Sequence, residues 1–525
     1  MMRAAWLAAA GLLAVAPTAS AQIQDPVQLD SGQISGGATS QSGIRVFKGI
    51  PFAAPPVGDL RWRPPQPVAP WDGVREADEF GSVCIQPPGV GRLNIAVLED
   101  SPPLDEDCLY LNVWTGSASA AERRPVMVYA FGGAFTEGGG SVALYDGTRL
   151  AEKGAVVVTL NYRLGPFGFF VHPELTEESE HNAAGNYGLM DVVAVLRWVQ
   201  ANIAAFGGDP DNVTLFGQSA GAMMVAVLAA SPEADGLFHR GIAQSAGWMG
   251  LTVTRMRTRS QTEQQGLEAA EEIGAPSLGE LRALPADEVT SLRGAGIIVD
   301  GWVIPEDLTL VFEEGRQNDV DVLVGSTRDE GSFFAGGPSA EDWENQVRGR
   351  WGDLAERVLE LYPSEQVTDS FPALFSDELA WQMRLLGERQ ADNGSRAYAY
   401  LFTYTPPVDP GNPSRGAAHA AEIPYVFNNL GQLPLYPDNS SPELAAASGS
   451  GQALAELMSS YWVNFARSGD PNGEGLPQWP RFVDLMNSPA MVLGEEAAPE
   501  SVLPTEKFAL FNSLYERQAE SLAGN

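Results

Sequence analysis

Histidine, cysteine and basic side chains are scarce in this 525-residue chain, and each scarcity excludes something. Two cysteines and four histidines, scattered along the sequence, do not have the spacing of a structural zinc site. Lys and Arg total 32 against 67 Asp and Glu, a net charge of −35. No basic stripe is available for nucleic acid or for an anionic membrane surface, and the excess reads as a solvated acidic coat. After the first residues no apolar run is long enough to span a bilayer, so membrane insertion is not expected. Internal repeats and low-complexity tracts are absent as well.

What is present begins with an export signal. Arg3 supplies a small positive start, residues 4–15 a short apolar run, and Ala19-Ser20-Ala21 an A-x-A cleavage site. Residues 1–21 are therefore expected to leave a secreted or periplasmic protein. An exported chain with an even cysteine count points to a disulfide, worth roughly 3–4 kcal/mol in the chain-entropy model. Hydrophobic residues make up 44% of the chain, enough for a large core. The length fits about three ordinary domains or one large α/β domain with insertions, and residues 22–525 are read as the single domain.

Alternating apolar residues such as Ile44, Val46 and Phe47 predict small N-terminal strands. Residues 61–70 are proline-rich and predict an ordered wrap that buries Trp62 and Trp71. The glycines and prolines between Cys84 and Cys108 predict a loop. Continuous apolar runs at 125–130 and 155–160 suit strands buried on both faces. Further strands are expected at 109–114, 241–243, 321–325 and 397–404. Leu189, Val192, Val193, Leu196, Val199 and Ile203 recur at helical spacing, with one buried face. Residues 454–465 read as another helix. Strands alternating with helices predict a mostly parallel sheet with helices on both faces. Two helix-prone insertions, near 252–293 and 340–393, are expected over the active edge. Thr262 and Gln265 have capping-box spacing in the first.

One stretch carries chemistry. Val213-Thr214-Leu215-Phe216 fits a buried strand, Gly217-Gln218-Ser219-Ala220-Gly221 is a G-x-S-x-G pentapeptide, and a run of helix formers follows. Strand, tight turn and helix are what exposes a nucleophilic serine. The flanking glycines leave room for backbone that a Cβ would strike. The plain alternative is a tight turn before a buried helix. A decoy lies close by in Ala243-Gln244-Ser245-Ala246-Gly247, which has Ala where the turn needs Gly and no helix-forming run after it. Ser245 is read as the polar end of a core strand.

A serine hydroxyl needs a base, and the base needs an orienting acid. In sites of this kind the chain order is Ser, acid, His. Of His172, His181, His239 and His419, only His419 lies far enough beyond Ser219 to leave room for a strand and an acid. Asp329 and Glu330 both follow the strand at 321–325, and spacing does not choose between them. Backbone N–H groups stabilise a tetrahedral oxyanion best because they are fixed in advance. Ala220 N–H follows the nucleophile, and Gly132-Gly133-Ala134 is a glycine-rich turn at the end of an earlier strand.

Several stretches resemble the type B carboxylesterase family of α/β hydrolases, which includes the cholinesterases. Phe206-Gly207-Gly208-Asp209-Pro210 with the Ser219 pentapeptide resembles its serine signature. Glu106-Asp107-Cys108-Leu109-Tyr110-Leu111-Asn112-Val113-Trp114 resembles its second signature. Asp329-Glu330-Gly331-Ser332-Phe333-Phe334 and Phe465-Ala466-Arg467-Ser468-Gly469-Asp470-Pro471-Asn472 are similar too. The resemblance implies an α/β-hydrolase fold and a serine carboxylesterase acting on small-molecule esters through an acyl-enzyme, without metal or cofactor. It implies Ser219, Glu330 and His419 as the triad. Gly133, Ala134 and Ala220 become the oxyanion donors, and Cys84 is bridged to Cys108. The chain departs from the family at Gln218, where many members have Glu, at Phe131, where many have His, and at Ala134, which replaces a glycine. No Trp lies between Cys84 and Cys108, so a choline site is not implied. Phe131, Phe135, Phe333, Phe334 and Trp302 are candidates for an apolar gorge. Lipase or amidase activity, and an adhesion role with an eroded triad, are the rival readings.

Overall fold

The computed structural model describes residues 23, 25–41, 43–86, 102–247, 256–333, 337–432 and 440–523. The expected export signal, Phe334 and residues 87–101 of the loop between the cysteines lie outside them.

Runs of valine organise the centre. β-Branched side chains stack well on a pleated surface, and a strand covered on both faces needs no polar alternation. Val126, Val128, Val156, Val157 and Val158 are all fully buried. Among the described residues thirteen strands form one sheet. In chain order its main members are β1 (Val27–Gln28), β2 (Gln33–Ala38), β3 (Arg45–Pro51), β4 (Tyr110–Thr115), β5 (Arg124–Ala130) and β6 (Val156–Leu160). There follow β7 (Gly208–Gln218), β8 (Arg240–Gln244), β9 (Asp321–Thr327), β10 (Ala397–Phe402), β11 (Ala490–Leu493) and β12 (Ala497–Glu500). The spatial order is β1-β2-β3-β4-β6-β5-β7-β8-β9-β10-β11-β12, with a short strand, Val74–Ala77, beside β2. From β6 to β11 every pairing is parallel; the outer pairings along this order are antiparallel, and Val74–Ala77 runs parallel to β2.

This order fixes where a site can form. The chain leaves β5 for β6 on one side, then returns to lay β7 on the other side of β5. Loops leaving β5 and β7 therefore part in opposite directions, and the crevice at their carboxyl ends is the topological switch point. The glycine turn follows β5 and the Ser219 pentapeptide follows β7.

The helices cover both faces. They include α1 (Tyr187–Asn202), α2 (Ala220–Leu228), α3 (Arg259–Glu272), α4 (Val367–Asp392) and α5 (Gly449–Ser468). A Cβ on Gly241 would lie 3.0 Å from Val225 of α2. Three residues on, and so on the opposite face of β8, Gln244 accepts from the Trp462 indole of α5. α1 is buried on most of its circumference rather than on the one face its spacing predicts. Its Asp191 forms a buried ion pair with Arg163, and breaking such a pair costs about 3–5 kcal/mol.

The first insertion packs on the chain leaving the carboxyl end of β6. Gly266 of α3 approaches the Val171 carbonyl so closely that a Cβ would overlap it, and Arg282 pairs with Glu178. Its capping box lies one turn earlier than expected. Thr258 caps α3 with Gln261 at N3, whereas Thr262 is buried inside the helix and donates to the Thr258 and Arg259 carbonyls. In the second insertion α4 lies along β9 and β10, and its Pro372 end backs the turn at Gly331. Cys84 and Cys108 are bridged. Trp62 is buried with its indole N–H on the Pro166 carbonyl, and Trp71 donates to the Gln33 carbonyl, which anchors the proline-rich wrap.

Candidate active site

Ser219 makes its turn alone. β7 runs to Gln218 and α2 begins at Ala220, leaving Ser219 at φ 54° and ψ −123°. A non-glycine residue in such a region costs on the order of 1–3 kcal/mol and persists only where neighbours over-determine it. Here Ser219 N–H donates to the Gln244 carbonyl at 2.8 Å, and the Ser219 carbonyl accepts from Met223 N–H at 2.9 Å. The glycines are sterically required. A Cβ on Gly217 would sit 2.6 Å from the Ala130 carbonyl oxygen, and one on Gly221 would sit 2.0 Å from it. Gln218 and Ala220 are buried, while Ser219 between them stays partly exposed.

The glycine turn after β5 rests on this elbow. A Cβ on Gly132 would come within 2.8 Å of Gln218 Oε1 and 3.1 Å of Ser219 Cβ. Gly133, Ala134 and Phe135 follow with φ of 126°, 52° and 63°. These positive φ values fold the chain into a tight turn against the Ser219 elbow. The turn is held from behind: the Gly133 carbonyl accepts from Thr136 and Glu137 N–H, and the buried Gln86 amide both donates to and accepts from Gly138. Ala220 N–H, in the first turn of α2, belongs to the donors that no carbonyl of its own helix takes.

His419 lies between these pieces and an acid. Its Nδ1 is 2.5 Å from Glu330 Oε2, and its Nε2 is 3.1 Å from Gln218 Nε2. Glu330 is fully buried, and its other oxygen accepts from Thr327 N–H at 2.8 Å. Burial works against a charged imidazole. The Glu330 carboxylate, through its charge and its hydrogen bond, and the more distant Glu422 outweigh that, so His419 titrates above its ordinary value. Asp329 faces elsewhere. It pairs with Arg328, and its Oδ2 accepts from Ala417 N–H at 2.7 Å. The structure thus brings Glu330 to the imidazole and uses Asp329 to tie down the loop that carries it.

Three contributors escape a reading of the sequence by motif. Gln218 touches the His419 imidazole, although only its departure from the family marks it out. Gln86 clamps the glycine turn. Glu422, three residues past His419, is fully buried and accepts from the Gln244 amide at 3.1 Å. Burial, with the Glu330 charge, pushes Glu422 up to about 7. Among the described residues no cluster of His, Cys, Asp or Glu could hold a metal ion.

The expected gorge lining divides. Phe131 stacks on Tyr162 with ring centroids 4.3 Å apart, and Phe135 packs on Phe169. Trp302 stacks on His181 and donates to Glu233. It lines a separate cavity of about 430 Å³ between α1 and the proline-rich wrap, whose lining includes none of the site residues. Trp302 therefore belongs to that cavity, because its indole N–H is drawn to Glu233.

Comparison with known proteins agrees with this architecture. Residues 24–510 match the carboxylesterase family. The fumonisin B1 esterase of Sphingopyxis macrogoltabida is 38% identical over 501 residues, which cover 91% of this chain and 88% of that protein. The para-nitrobenzyl esterase of Bacillus subtilis (strain 168) is 35% identical over 498 residues, covering 91% and 96%. A solved para-nitrobenzyl (pNB) esterase structure superposes with a TM-score of 0.79 at 32% identity, covering 92% of this chain and 99% of that one. A Geobacillus stearothermophilus carboxylesterase superposes at 0.78 with 33% identity, over 92% and 99%. With an α/β-hydrolase sheet and likeness along nearly its whole length, this chain belongs to the carboxylesterase family and is a carboxylic ester hydrolase.

Proposed function

We propose that the chain is an exported, single-domain serine carboxylesterase that works through Ser219, His419 and Glu330. The observation that carries the reading is the place of His419, with its Nδ1 on the buried Glu330 and its Nε2 against the residue next to Ser219. In this mechanism His419 takes the Ser219 proton as Oγ attacks the ester carbonyl. Glu330 holds the proton on Nδ1 and steadies the imidazolium. The Gly133, Ala134 and Ala220 N–H groups receive the charge of the tetrahedral intermediate. His419 then protonates the leaving alkoxide, and water clears the acyl-enzyme with the roles reversed. Export is supported by the leader-like first 21 residues and by the Cys84–Cys108 bridge, which suits an oxidising compartment.

Fluorophosphonate labelling with peptide mapping tests the nucleophile, and the label is expected on Ser219. The acid is tested by p-nitrophenyl acetate hydrolysis. Glu330→Gln is expected to lower kcat by about three to four orders of magnitude and Asp329→Asn by about tenfold at most. Equal losses from the two would remove Glu330 from the relay. Acyl chains of graded length then define the ester it prefers.

A further inference from the structure

One group at the imidazole has no part in the steps above. Gln218 is 1% exposed, ends β7 beside Ser219, and holds its amide Nε2 3.1 Å from His419 Nε2. Chemistry decides which way this contact runs. Glu330 is an acceptor at Nδ1, so the neutral ring keeps its proton there and presents a lone pair at Nε2. An amide nitrogen is a donor, and Gln218 therefore donates to that lone pair. The same lone pair has to accept the Ser219 proton.

We infer that Gln218 is a positioning residue: it holds His419 Nε2 between turnovers and opposes the imidazolium, as a counterweight to the carboxylates around the ring. This rests on His419 being the base. In the neutral ring the contact is donor to acceptor. Once Nε2 carries a proton it becomes donor to donor, and the amide must yield or swing round. Gln218 so makes the base weaker and the return of its proton to the leaving alkoxide easier. The other groups facing the ring act in the opposite sense. Glu330, on the turn after β9, favours the charged ring, and Glu422, in the loop after His419, does so once it ionises above about 7. Tyr400 of β10 adds no charge, because burial together with Glu422 and Glu330 keeps its phenol neutral.

The test is the pH dependence of kcat/KM for p-nitrophenyl acetate, whose acid limb reports the base in the free enzyme. Gln218→Met keeps the length and removes the donor, and the limb is expected to move up by about half a pH unit. Gln218→Glu supplies an acceptor for Nε2–H, and the limb is expected to move up by about one unit or more. Folded variants whose limbs overlay that of the unaltered enzyme overturn the inference. His419→Ala separates the two levels. If it retains activity the base itself is wrongly assigned, and if it is inactive while the Gln218 limbs stay fixed, only the role of Gln218 fails. Should neither Gln218 variant fold, 15N NMR of the unaltered protein with labelled histidines decides. The His419 signals are those missing from His419→Ala, and an Nε2 lone pair free of hydrogen bonding overturns the assignment.

Discussion

Two serines of this molecule stand in the same four-residue setting, Gln-Ser-Ala-Gly, at the ends of adjacent parallel strands. β7 and β8 pair with Gln218 opposite Gln244. Ser219 N–H donates to the Gln244 carbonyl and Ser245 N–H to the Gly325 carbonyl, one step along the same staircase. Both serines have positive φ, 54° and 59°. Backbone strain is therefore common to both and does not distinguish them. The differences lie around the serine. Gly217 and Gly221 let the first turn close on β5, whereas Ala243 carries a Cβ. A helix starts directly after Ser219 but not after Ser245. Ser219 is partly exposed, and Ser245 is buried at 2%. The neighbouring glutamines diverge too, since Gln218 faces the His419 imidazole and Gln244 the Glu422 carboxyl.

Exchanging features between the two turns tests what the contrast means. Ser219→Ala is expected to lower p-nitrophenyl acetate turnover by at least about ten-thousand-fold, and Ser245→Ala to leave it within about tenfold. Comparable losses would make the pair one functional unit and end the contrast. The next effect is on stability. Gly217→Ala puts a Cβ 2.6 Å from both the Ala130 carbonyl oxygen and the Gly221 backbone, and should cost about 3 kcal/mol in urea unfolding. Ala243→Gly should cost only about 1 kcal/mol. A smaller effect separates the acids. Glu422, pushed up to about 7 from 4.5, keeps its proton in the folded chain where the unfolded chain has lost it. Stability is then lost as pH rises through that window. Glu422→Gln should lessen the fall in thermal midpoint between pH 5 and pH 8, by the equivalent of about 2 kcal/mol. Some slope will persist, because burial also pushes Glu378 up to about 7. An unchanged slope would show that Glu422 carries no excess proton.

The elbow was legible because its evidence is local: strand, glycines and helix lie within a few residues of Ser219. The parallel core was legible because buried valine runs have few other uses. The choice between Asp329 and Glu330 was not, since both follow β9 and only the 3₁₀ turn at Glu330–Phe333 decides which carboxylate turns inward. Family resemblance, not spacing, favoured Glu330. The Gln218–His419 and Gln244–Glu422 contacts join residues 201 and 178 apart, and no periodicity encodes them. Thr258/Gln261 and Thr262/Gln265 have identical spacing, and burial of the second threonine selects the first as cap. Trp302 resembled a gorge aromatic in composition, yet its Glu233 partner lies elsewhere in the chain.

Asp329 grips Ala417 twice, by its own N–H on the Ala417 carbonyl at 3.0 Å and by its carboxylate on the Ala417 N–H. The imidazole two residues on is thereby moored to the end of β9 and not to the proline- and glycine-rich span that precedes it. Within that span the exposed residues 409–414 lie upstream of a fixed anchor. Their length and chemistry are open to redesign, for instance to graft a new recognition loop, without disturbing the register of the His419 imidazole.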